Sequence, residues 1–225
     1  MKRKFIILVA LAAVMIPAIS FAMPPRPGPY VSGFLGISVP QNVDVTGFDA
    51  NIDINERVEF DPGVNIGGTG GYDFGFIRLE GELSYKYSNI SMVSEKSGGD
   101  TFANTDGGVG VFAFMANGFF DLHNDSPVTP YIGGGIGFAT LHLDDTFATQ
   151  RSTGNRVLLY PSGDATVFAY QVGAGLEIAL SRRLSLDLGY RYFATDKARF
   201  DNDVYTTTNL KFESHNFAAG VRVKF

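Results

Sequence analysis

The chain has 225 residues, 45% of them hydrophobic, with 27 Gly, 20 Phe and 10 Tyr, which suits one all-β domain better than two smaller ones. It contains no cysteine, so neither a disulfide framework nor a lipid-modified amino terminus is available. The formal net charge is −5, and without the three basic residues at 2–4 it falls to −8, 15 Lys plus Arg against 23 Asp plus Glu, which argues against nucleic acid as a partner.

Lys2, Arg3 and Lys4 precede an apolar run from Phe5 to Ile16 that ends in the small-residue triplet Ser20-Phe21-Ala22. This is the pattern of a secretory signal peptide spanning residues 1–22 and cleaved after Ala22. The apolar run is well short of the roughly 20 residues that a membrane-spanning helix needs. Residues 23–29 form a Pro-rich lead-in, and 30–225 are expected to form one β-barrel domain.

From there on the recurrent period is two, and no long helical stripe intervenes. Eight strands are expected: Tyr30 to Val39, Gly63 to Phe74, Phe76 to Ser88, Gly107 to Leu122, Pro130 to Leu143, Thr166 to Leu180, Leu184 to Tyr192 and Phe217 to Phe225. The third is the clearest, with Ile77, Leu79, Leu83, Tyr85 and Tyr87 on one face and Arg78, Glu80, Glu82, Ser84 and Lys86 on the other. So charged a face does not belong in a sandwich core. The connections alternate: residues 40–62, 89–106, 144–165 and 193–214 are long and polar, whereas those at Asp73-Phe74-Gly75, Asp121 to Thr129 and Ser181-Arg182-Arg183 are short. An even strand number with short turns on one side and long loops on the other is the layout of outer-membrane barrels, with the turns periplasmic. The expected fold is therefore an eight-stranded antiparallel up-and-down transmembrane β-barrel, with four long extracellular loops and three short periplasmic turns. Ile52, Ile54, Val58 and Phe60 also alternate, which suggests a hairpin arm above the membrane or an additional strand pair; eight strands are kept because Pro62 interrupts the ladder.

The outward face is expected to carry aromatic girdles, Tyr72, Phe74, Phe120 and Phe225 toward the periplasm and Tyr85, Tyr87, Tyr190 and Tyr192 toward the outside. The inward face collects Arg78, Glu80, Glu82, Lys86, Gln171, Glu177, Asp187, Arg191, Arg222 and Lys224. An eight-stranded barrel is only wide enough inside for side chains to fill it, so these residues are expected to pair as an ion-pair plug, with the selectivity filter of a narrow pore as the alternative. Strand glycines such as Gly67-Gly68, Gly70-Gly71 and Gly133-Gly134-Gly135 suit tight curvature; no helix follows them, as phosphate cradling requires.

Chemistry is weakly signalled. His142 with Asp144 and Asp145, facing His215 across the rim, is the one imaginable hydrolase or metal site, and His123 sits in a periplasmic turn. No H-E-x-x-H, G-x-S-x-G or cysteine pair supports it, so no catalytic, cofactor or metal residue is assigned. Acidic loop residues Asp44, Asp49, Asp53 and Glu56 sit where cations bridging lipopolysaccharide, or an extracellular ligand, would meet the protein.

Three stretches carry a resemblance: Tyr30-Val31-Ser32-Gly33-Phe34-Leu35-Gly36, Pro130-Tyr131-Ile132-Gly133-Gly134-Gly135-Ile136-Gly137 and the terminal Asn216 to Phe225. The chain resembles the small outer-membrane β-barrel family that includes opacity-type surface antigens and the OmpA-like transmembrane domain. The resemblance implies a non-enzymatic surface protein, with a narrow ion or small-solute pore as the alternative and a barrel enzyme acting on lipid or peptide further behind. It also implies that Phe217, Val221, Val223 and Phe225 form the sorting signal read by the barrel-assembly machinery, with periplasmic chaperones as further partners and outer-membrane lipid and lipopolysaccharide as surroundings. The chain ends with its barrel, so the peptidoglycan tether of full-length OmpA-like proteins is not expected.

Overall fold

The computed structural model describes residues 27–49, 52–95, 101–122, 126–150, 154–203 and 206–225. The expected signal peptide with its cleavage site at Ala22, most of the lead-in, and His123 lie outside the described residues.

Eight strands close on themselves: β1 (Gly28–Pro40), β4 (Gly63–Asp73), β5 (Ile77–Glu95), β7 (Gly108–Asp121), β8 (Val128–Leu143), β11 (Gly163–Ala179), β12 (Leu184–Asp203) and β13 (Thr206–Lys224). Each pairs antiparallel with the next, and β1 pairs with β13 from Tyr30↔Lys224 to Pro40↔Ser214, which leaves no open edge across the barrel. Closure is what permits a β structure to stand in lipid, because every backbone donor and acceptor is then satisfied internally. β1 begins at Gly28, two residues earlier than expected, where Gly28 opposes Asp73.

Two of the three short turns lie wholly within the described residues, whereas residues 123–125 of the second lie outside them. In the first, Gly75 adopts φ +104°, a conformation that favours glycine, and its N–H donates to Asp73 Oδ1 at 2.7 Å. In the third, Leu180 N–H donates to Leu184 O at 2.9 Å.

The long connections differ from expectation. They are not irregular loops: β2 (Val43–Asp49) and β3 (Ile52–Phe60) form the hairpin that the alternation suggested, and β6 (Thr101–Asp106), β9 (Thr146–Gln150) and β10 (Arg156–Tyr160) occupy the second and third connections. The fourth is simply the continuation of β12 and β13. These pieces join neighbours laterally, β13 to β2, β3 to β5 and β6 to β9, so the barrel wall continues beyond the eight-stranded ring. Pro62 does interrupt the strand, but Asp61 N–H still reaches Asn89 O at 3.0 Å and keeps the ladder in step. Polar residues interspersed along these segments masked the strands, although the inward positions Val43, Val58, Ile90 and Val93 are apolar and buried.

The interior also differs. Its periplasmic half is charged as expected, but its outer half is apolar: Val111, Ala113, Met115, Leu141, Phe193 and Phe212 face inward and are buried. Strand β7 is apolar on both faces, with Phe112 and Phe114 outward and Val111, Ala113 and Met115 inward, so its period-two signal is weak. On β8, Ile132, Ile136 and Phe138 face out while Tyr131, Ala139 and Leu141 face in, which resolves the parity that the glycines obscured.

Candidate functional site

The lumen and the outer rim are where polar chemistry is concentrated. Strand alternation aims the lumen residues, and the register sets their height.

Nearest the periplasm, Glu177 on β11 gathers three cations. Arg78 Nη1 lies 3.2 Å and Lys224 Nζ 3.2 Å from its carboxylate, and Arg222 donates to it as well. The same cations reach further carboxylates: Lys224 to Asp73 at 2.8 Å, Arg222 to Asp187 at 2.7 Å and Arg78 to Asp121 at 3.6 Å. The Arg78 guanidinium lies 5.1 Å from the Phe119 ring centroid and 4.6 Å from that of Tyr131, and Arg222 covers Tyr30. The planar, weakly hydrated guanidinium suits this mixture of carboxylate and aromatic contacts.

One layer up, Arg191 pairs with Glu82 and, at 3.4 Å, with Glu80. Asn117 Nδ2 donates to Glu82 at 2.9 Å, Gln171 Nε2 donates to both Glu82 and Asn117 Oδ1 at 2.8 Å, and Tyr30 donates to Glu80 at 2.5 Å. The carboxylate lone pairs are thus taken up by several donors, the condition under which a buried charged network is sustained.

Lys86 stands apart from the other inward residues. Its ammonium donates to Ser84 Oγ at 3.0 Å and sits 4.2 Å from the centroid of Phe193, with no ion pair among the described residues. It occupies the boundary where the charged half gives way to the apolar half. A cavity of about 20 Å³, lined among others by Ser32, Asn65, Thr69 and Asn216, is space for about one water molecule.

Sequence reasoning missed four participants: Asp73, Asp121, Asn117 and the hydroxyl of Tyr30. Asp73 and Asp121 end their strands at turns, where an aspartate is ordinarily solvated. Continuing the parity of Thr69 and of Asn117 by two alternations, four residues, would have placed both inward.

At the outer rim the two histidines occupy separate groups. His142 faces outward; its Nδ1 lies 2.7 Å from Asp164 Oδ1 and its Nε2 3.4 Å from Asp144 Oδ1, and the hydrogen bond with Asp164 raises its pKa above 6.5. Asp145 instead accepts from Ser162 N–H at 2.7 Å. His215, on β13 and separated from β8 by β11 and β12, contacts the Tyr190 hydroxyl at 2.8 Å and the Gln41 amide at 3.1 Å. Among the described residues no group of three or more His, Asp or Glu is placed to hold a metal ion.

The outer surface is banded. Leu184, Leu188, Val221, Val223 and Phe217 face outward and exposed between a periplasmic ring with Tyr72, Phe74, Phe120 and Phe225 and an outer one with Tyr85, Tyr190 and Tyr192. Tyr87 belongs to that outer ring and donates to Asp144 Oδ2 at 3.0 Å. Such a band between aromatic girdles is what a lipid-facing barrel presents.

Comparisons with known proteins agree with this architecture. The chain is 26% identical over 227 residues to the outer membrane protein PagN of Salmonella typhimurium, across 89% of this chain and 91% of that protein. Its fold is similar to the crystal structure of Neisserial surface protein A, with a TM-score of 0.52 and 20% identity, covering 88% of this chain and 97% of that one. It is also similar to the outer membrane protein OprG of Pseudomonas aeruginosa, with a TM-score of 0.59 and 14% identity, covering 91% and 99%. The family model described as the outer membrane protein beta-barrel domain matches residues 6–225, so the chain belongs to that family and resides in the bacterial outer membrane.

Proposed function

We propose that the protein is a non-enzymatic surface protein whose sealed barrel anchors a β-stranded extracellular wall for contact with the envelope and with ligands outside. The observation that carries this reading is the double closure of the lumen. A charged layer centred on Glu177 and Glu82 lies beneath an apolar layer containing Met115, Phe193 and Phe212, and an ion would have to break the first and dewet the second to pass. The wall above the ring supplies the contact surface.

The test is electrical. The mature protein reconstituted in planar lipid bilayers is expected to be silent at both polarities. Sustained single-channel steps whose ion selectivity changes in Glu82→Lys or Arg78→Glu would overturn the reading in favour of a narrow pore.

A further inference from the structure

The sheet that closes across the membrane is not closed in the wall above it. Strands β11 and β12 pair without interruption from Ala179↔Ser185 to Ala169↔Thr195, and there the ladder stops. Both strands continue outward, β11 as far as Gly163 and β12 as far as Asp203. Past the ladder, among the described residues, β11 pairs with β8 alone and β12 with β13 alone, while β10 pairs only with β9. A seam therefore runs outward between β11 and β12, with a strand edge on either side.

The seam is built into the chain. Against β13, β12 gains one residue between Ala194 and Lys197, a bulge of the kind that bends a strand and increases its twist. Thr195 holds the bulge: its buried hydroxyl accepts from Phe212 N–H at 3.1 Å and donates to Phe212 O at 3.4 Å. The extra residue also inverts parity. Phe193 and Thr195 face inward below it, whereas Ala198 and Phe200 do so above it, so β12 falls out of step with β11, whose inward positions remain Ala169, Val167 and Ala165.

Two features identify what the seam accepts. One is the backbone, since each edge presents a row of N–H and C=O groups with which another extended chain can pair. The other is incomplete cover. Ala165 and Val167 are only half-buried, although their register partners Leu141 and Ala139, and Ala169 below them, are fully buried. Across the seam Ala198 and Phe200 belong to the same apolar core. Above Phe168 the outward positions Asp164, Thr166, Asp196 and Lys197 are polar and exposed, so the seam opens to water and not to acyl chains.

We infer that the seam between β11 and β12 is a docking edge for an extended segment of a protein outside the cell. The segment adds to β12 as a further strand and turns an apolar side chain at every second residue onto Val167, Ala165 and Phe200. A sugar has no backbone ladder and an acyl chain no polar groups to pair, whereas the seam asks for both a ladder and alternating apolar cover. The inference names a ligand class for the contact surface of the proposed function and rests on that reading; conductance plays no part in it.

The experiment uses the mature protein in phosphatidylcholine nanodiscs and a fluorescent peptide of alternating Val and Thr. Binding is read by fluorescence anisotropy, and the place of binding by hydrogen–deuterium exchange. Amides at 196–203 are expected to gain protection when the peptide is added, and a fully N-methylated twin to bind about tenfold more weakly or worse. Val167→Lys, which aims a charge inward beside the edge, is expected to weaken binding to the same degree, and Leu158→Lys, exposed on β10, to leave it unchanged. Should Val167→Lys lose its boiling-dependent gel mobility, the exchange measurement on the wild type decides. Binding without protection at 196–203, equal binding of the N-methylated twin, or no binding overturns the seam as a docking edge. Protection at 196–203 that arises without peptide when each disc carries two copies assigns the edge to a second copy and overturns the outside partner. A silent bilayer alongside a failed binding test leaves the proposed function standing and removes this inference alone.

Discussion

Three cations converge on Glu177, whose side chain is 2% exposed, so removing that carboxylate strands Arg78, Arg222 and Lys224 together. Breaking a buried pair from one side is far more costly than the pair's net worth, because the surviving charge keeps its desolvation penalty. Glu177→Ala is therefore expected to destabilise the folded barrel by about 3–5 kcal/mol, read from equilibrium urea unfolding in lipid vesicles. The exposed pair of Arg156 and Asp106, 2.9 Å apart with side chains 60% and 80% exposed, sets the contrast. Asp106→Ala should stay within about 1 kcal/mol of wild type. A small effect of Glu177→Ala would mean that the charged layer contributes little to stability. At the rim, the raised pKa of His142 has a definite sign: the fold favours the imidazolium, so the contribution is present below about pH 6.5 and fades as pH rises through the folded value. An NMR titration should place the His142 midpoint above 6.5, and Asp164→Asn should lower it.

At the scale of elements, small residues at chosen strand positions let large ones reach the lumen. Gly175 on β11 and Gly189 on β12 oppose each other in the register, and a Cβ added at Gly175 would overlap the Tyr131 hydroxyl and the Leu188 carbonyl oxygen. Tyr131 in turn donates to Asp187 at 2.8 Å and supports Arg78. Gly175→Val should thus unseat the tyrosine and cost about 1–3 kcal/mol by overpacking. Ala174→Val, one residue away on the lipid face, should cost nothing measurable in the same unfolding assay. The reverse order of effects would contradict the inward and outward assignment of β11. The clean strands, β5 and the first half of β12, were legible because a charged and an apolar side alternate without interruption. The outer half of β7 was legible as a strand but not as a core element, since both of its faces are apolar and period two then carries no information.

For the whole molecule, closure depends on pairing Tyr30 with Lys224, residues of the first and last strands. A closed barrel of this kind resists unheated SDS, so the refolded mature protein is expected to change mobility on boiling. An unchanged mobility, with a species soluble without detergent, would contradict the membrane barrel. Phe225 is 75% exposed at the periplasmic edge, and its N–H donates to Pro29 O at 3.0 Å. We propose that it ends an assembly signal with Phe217, Val221 and Val223, so that its deletion lowers insertion into the outer membrane in cells while leaving refolding in detergent largely intact. Normal insertion in cells would remove the signal role.

The sequence by itself determined the eight strands of the ring, the lipid face and most of the lumen charges, because period-two alternation and the spacing of turn residues are local properties of the chain. Tertiary structure decided what depends on partners distant in sequence. Only closure shows that Glu177 gathers residues 78, 222 and 224, that Lys86 meets Phe193 in place of a carboxylate, and that apolar side chains fill the outer half of the lumen. The same holds for the extracellular wall: alternation at 52–60 suggested one hairpin, but the lateral pairing of β2, β3, β6 and β9 into a continuous wall depends on neighbours distant in sequence. A side chain's face is written in its own strand, whereas its partner is set by the register of strands up to the length of the chain away.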